Sequence, residues 1–92
     1  MRMYVPPVTP PPAQGKVRII TRVRFPSADP GRLGRYDEVI TYMTPDGRTW
    51  MITIPAEIFD GRIEAEQERI IAERIKADIQ ARAVWEGREI TI

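Results

Sequence analysis

No cysteine and no histidine occur among the 92 residues. The first absence excludes disulfide staples and thiolate nucleophiles. The second removes the side chain best suited to move protons near neutral pH. Together they leave neither thiolate nor imidazole to hold a structural zinc. No cofactor and no metal site are therefore expected. An uncharged apolar run of about 18 residues, enough to span a bilayer, is also missing. The opening MRMYVPP has no apolar stretch behind its arginine, so a secretory signal is not expected either. Cytoplasmic synthesis and no membrane partner follow as expectations.

Charge is nearly balanced at +1 but unevenly placed. Residues 1–36 carry seven basic side chains and one acidic, and residues 37–92 carry seven basic and twelve acidic. Such asymmetry marks either a polyanion contact or two opposite surfaces that meet in an assembly. Size points to assembly. If residues 1–15 form an arm, 77 remain for a core, and a core of that size supplies only about 3–5 kcal/mol of net stability. With disulfides and zinc excluded, a partner is the remaining source.

The segment YVPPVTPPPAQG holds five of the nine prolines. Proline fixes φ and lacks a donor, so residues 1–15 read as an extended, semi-rigid arm with polyproline II character. Residues 16–92 read as one small domain. Residues 16–25, KVRIITRVRF, alternate with period two, the pattern of a half-buried strand. Strict alternation places Val17, Ile19, Thr21, Val23 and Phe25 on one face and Lys16, Arg18, Arg22 and Arg24 on the other. The loop PSADPGRLGR follows and is rich in breakers.

Residues 36–44 and 48–54 flank TPDGR and predict a β-hairpin. Pro45 suits the second position of a type I turn, and Gly47 suits the left-handed residue after it. That loop pairs Tyr42 with Trp50 and Ile40 with Ile52, which puts these four and Ile54 on a core face. Val39, Thr41, Met43, Thr49, Met51 and Thr53 share the opposite face, which is half-apolar. Residues 62–86 predict a helix whose stripe is Ile63, Ile70, Ile71, Ile75, Ile79 and Ala83. Asp60 is the expected N-cap, Glu64 and Glu66 sit near the positive helix end, and Gly87 suits the C-terminus. REITI, residues 88–92, alternates again and predicts a short edge strand. The expected fold is thus α+β: an antiparallel sheet of three to four strands in the order β-β-β-α-β, one long helix on one face, and the arm in front.

Candidate chemistry is sparse. Ser27 lies in a proline-rich loop with no base beside it in sequence and reads as a turn residue. Glu64, Glu66, Glu68 and Glu73 read as the solvated side of a helix. GRLGR at 31–35 lacks the lysine and hydroxyl of a phosphate-binding loop and reads as a flexible loop with two exposed arginines. One helix covers one sheet face, so the half-apolar face needs a partner or the arm. The expected function is a non-enzymatic structural or interaction protein, a small subunit of a larger assembly, most simply of its own copies. Its contacts would be the arm residues Tyr4, Pro6 and Pro7 and the face residues Val39, Met43 and Met51. Small accessory proteins of phage particles have this general build, so a virion or tail component is the specific expectation. The alternative is a DNA-binding module whose basic strand presents Lys16, Arg18, Arg22 and Arg24 to phosphates. The β-β-β-α order resembles that of plant AP2-type and integrase arm-binding domains in topology alone.

Overall fold

A computed structural model describes residues 10–92. Three antiparallel strands, β1 (Arg18–Pro26), β2 (Tyr36–Met43) and β3 (Thr49–Pro55), form one sheet in the order β1-β2-β3. A 3-10 turn at Ala56–Phe59 leads to a single long helix, α1 (Glu64–Ala83), which covers one face. The antiparallel sheet with one long helix matches expectation. Tyr4, Pro6 and Pro7 lie outside the described residues.

The hairpin follows its turn chemistry. Gly47 has φ +82°, and its N–H donates to the Thr44 carbonyl at 2.9 Å. The register pairs Tyr42 with Trp50 and Ile40 with Ile52. With Ile54, Phe59, Ile71 and Ile75, the residues Ile40, Tyr42 and Ile52 make the buried core. Trp50 is half-buried at the edge of this cluster.

Three expectations about the helix and tail need correction. The helix begins at Glu64 behind Ile63, with no side-chain cap. Asp60 instead closes the preceding 3-10 turn through its backbone N–H, because positive φ at Gly61 bends the chain before the helix can start. Of the apolar stripe, Ile71 and Ile75 are buried and Ile70 is half-buried, while Ile63, Ile79 and Ala83 are exposed. A three-stranded sheet is too narrow to cover a helix of 20 residues, about 30 Å long, from end to end. Residues 88–92 join no strand, and Ile90 and Ile92 are exposed.

The largest departure lies in β1. The register with β2 shifts between Ile19 and Thr21, so Ile20 is an extra, bulged residue. Ile19 faces the helix side opposite Tyr42, but after the bulge Arg22 stands opposite Ile40 and Arg24 opposite Glu38. Thr21, Val23 and Phe25 turn to the open face. The expected common face of Lys16, Arg18, Arg22 and Arg24 is therefore split, since a shift of one residue turns all later side chains over.

The physical reason is Glu38. It shares parity with Ile40 and Tyr42, so β2 carries it inward, where it is 6% exposed. Arg22 donates to its Oε2 from Nε at 3.1 Å and Nη2 at 2.8 Å, and Arg24 reaches Oε1 at 3.5 Å. Leaving a buried carboxylate unpaired costs about 3–5 kcal/mol. Turning Val23 and Phe25 inward would recover less. They are 42% and 53% exposed, so roughly half of the usual 1.5–3 kcal/mol each remains to be gained. Charge pairing wins, and two apolar side chains stay outside.

Candidate interaction surfaces

The open face of the sheet follows from the register. Its cross-strand rows are Arg18–Met43–Thr49, Thr21–Thr41–Met51, Val23–Val39–Thr53 and Phe25–Asp37–Pro55. α1 packs on the other side and leaves these rows uncovered, while the Arg32 guanidinium reaches Asp37 in one end row and the Pro10 carbonyl reaches Arg18 in the other. Val39 and Met43 are half-buried by their neighbours, whereas Met51 is 67% exposed. Val23 and Phe25 extend the patch beyond the residues that sequence parity singles out. The β-bulge is the feature that puts them there. A run of valine, methionine, phenylalanine and threonine without a free charge at its centre is the composition of a contact surface.

The opposite face is held by polar groups as well as by its core. The Arg22 guanidinium lies 4.6 Å from the centroid of the Phe59 ring and donates to Gln67 Oε1 of α1 at 2.9 Å. At the hairpin end the Tyr42 hydroxyl donates to Asp78 Oδ2 at 2.6 Å. Arg82 donates to the same hydroxyl at 2.9 Å, pairs with Asp78, and stacks over Trp50 at 3.6 Å. Burial, with the Asp78 hydrogen bond second, pushes the Tyr42 phenol above its ordinary value. Glu38 and this cluster were not apparent as sites in the sequence. The parity of Glu38 with Ile40 and Tyr42 was the available signal.

Arg32 corrects the reading of the 31–35 loop. It is largely shielded rather than exposed: it pairs with Asp37, donates to Glu57 Oε2 at 2.6 Å, and donates to the Tyr36 carbonyl at 3.2 Å. It clamps this loop to β2 and to the 3-10 turn after β3. Ser27 Oγ accepts the Asp29 N–H at 3.3 Å, a turn contact. Glu66 pairs with Arg62 at 3.6 Å.

The candidate nucleic-acid residues do not form one row. Arg22 and Arg24 are tied to Glu38 on the helix side, while Arg18 projects from the open face and donates to the Pro10 carbonyl at 2.6 Å. Among the described residues no helix is long and apolar enough to cross a membrane. Compared with protein-family models, curated proteins and solved structures, the chain matches none.

A third surface is a groove of about 330 Å³ between α1 and the start of β1. Val17, Ile19, Ile71 and Ile75 make most of it apolar, Arg22, already paired with Glu38, stands on the β1 side, and Glu64 and Glu68 stand along the helix side. It exists because α1 meets β1 through Gln67 and Arg22 and, toward the start of the strand, leaves Val17 half-buried and Ile19 exposed.

Proposed function

We propose that this chain is a non-enzymatic structural subunit that associates with its own copies through the open face of its sheet. The uncovered cluster of Val23, Phe25, Val39, Met43 and Met51 on β1, β2 and β3 carries the reading. From strand spacing and rise the face measures about 15 by 25 Å. That is roughly 400 Å² before side-chain relief, half of the about 800 Å² that each partner of a standard interface buries. The proline-rich segment 1–15 is the natural supplement, because proline fixes φ and so reduces the entropy lost on docking. A virion or tail component is the setting this build suggests.

Sedimentation velocity tests it. The full chain should self-associate, and Met51→Asp with Val39→Asp should shift it toward the monomer. Deleting residues 1–14 should lower the assembled mass without moving the monomer's melting midpoint. A full chain that sediments as a monomer at every concentration removes the homomeric reading. Binding to duplex DNA that weakens steeply with salt would replace it with the nucleic-acid alternative. The split of the basic row and the pairing of Arg22 and Arg24 with Glu38 weigh against that outcome.

A further inference from the structure

We infer that residues 88–92 of a second copy add to the free edge of β1 and place Ile90 and Ile92 in the groove beside α1. The site is separate from the open face, so it stands whether or not that face associates.

Three observations meet here. β1 is an outer strand of nine residues, and no described strand pairs with its far edge. An unpaired edge presents a row of backbone donors and acceptors that another strand can satisfy. Beside that edge lies the apolar groove, whose walls include Ile19, Ile71 and Ile75. The chain also carries a segment of strand-like alternation, REITI, that its own sheet does not use: Ile90 is 67% exposed and Ile92 fully so.

Length and charge fit. From Glu64 to Ile75 the helix wall of the groove rises about 17 Å. Five extended residues also span about 17 Å. As a strand, the tail puts Arg88, Ile90 and Ile92 on one side and Glu89 and Thr91 on the other. With the isoleucines in the groove, Arg88 stands on the side of Glu64 and Glu68, neither of which joins an ion pair among the described residues. Glu89 and Thr91 then fall on the open-face side of the added strand. A second β1 is a poorer occupant, because it would set Arg18, Arg22 and Arg24 against their own copies. The chain's own tail does not fill the site in the structure, since both of its isoleucines face solvent.

The test compares four full chains by sedimentation and melting: the parent, Ile90→Asp with Ile92→Asp, Arg88→Glu, and Arg88→Glu with Glu68→Arg. The double aspartate variant should raise the self-dissociation constant at least about tenfold, the effect of roughly one isoleucine side chain left unburied. Its monomer should melt as the parent monomer does, because both residues are exposed. Arg88→Glu should weaken association less, and Glu68→Arg should restore it. An unchanged dissociation constant in the aspartate variant overturns the assignment. So does a monomer whose melting midpoint falls, because that places the tail in its own groove. If Met51→Asp disperses the chain and the tail variants do not, this inference fails and the open-face reading survives. The reverse pattern separates them the other way.

Discussion

The two faces of the sheet are built from the same three strands, yet they are stabilised by different means. The face under α1 mixes isoleucines with a buried carboxylate, two arginines and a tyrosine whose hydroxyl is fully engaged. The open face carries valine, phenylalanine, methionine and threonine with no helix over them. In β1 beyond the bulge the usual arrangement is inverted, with Arg22 and Arg24 inward and Val23 and Phe25 outward. The comparison shows that burial follows pairing as much as hydropathy. A buried Glu38 recruits cations across the strand, and the residues they displace become surface available to a partner.

Core truncation should separate the faces most. Ile54→Ala, at a fully buried position, should cost about 2–5 kcal/mol in a denaturant melt. Met51→Ala in the monomer should stay within about 0.5 kcal/mol. Comparable losses at the two sites would abolish the contrast. Next comes Glu38→Gln, which leaves Arg22 and Arg24 without their carboxylate. Both arginines retain access to water, so the loss should be about 1.5–3 kcal/mol rather than the full cost of an unpaired buried charge. Phe25→Thr on the open face should cost clearly less in the monomer. If Glu38→Gln is silent, the stated cause of the bulge is wrong.

Gly47→Val forces a β-branched residue to φ +82° and should cost about 1–2 kcal/mol. Asp46→Ala, which loses an acceptor for the Thr44 hydroxyl and the Arg48 N–H, should cost less. Reversal of that order in equilibrium melts would point to a different turn.

The smallest effects are those of pH. The Thr44 hydrogen bond holds Asp46 below the usual carboxylate range, and Glu57 is lowered by its own backbone N–H and then by Arg32. A carboxylate depressed in the folded state stabilises above its ordinary value, and that contribution drains away as pH falls through the folded value. Tyr42 is raised, so its contribution is complete below the ordinary phenol value and is lost as pH rises through the folded one. Tyr42→Phe should therefore flatten the alkaline limb of a stability–pH curve and leave the acid limb alone. A change confined to the acid limb would contradict the burial of Tyr42.

Much of this molecule was legible from short stretches of chain. TPDGR sets the hairpin register because a turn constrains only its immediate neighbours. The helix is visible from the spacing of Ile71 and Ile75, and the missing cysteine and histidine bear directly on the chemistry available. What could not be read locally depends on groups that meet across the fold. Arg22 and Glu38 are sixteen residues apart, and alternation within β1 contains no sign that a carboxylate on the next strand will turn its second half over. The helix starts at Glu64 rather than at residue 62, and Ile63 rather than Asp60 precedes it, because Gly61 redirects the chain after Phe59 has packed into the core. The tail alternates like a strand, but pairing requires an edge within reach, and alternation does not say whose edge that is. Period, turn and composition are properties of neighbouring residues. The side of a sheet on which a charge comes to rest is settled by the cost of burying it alone.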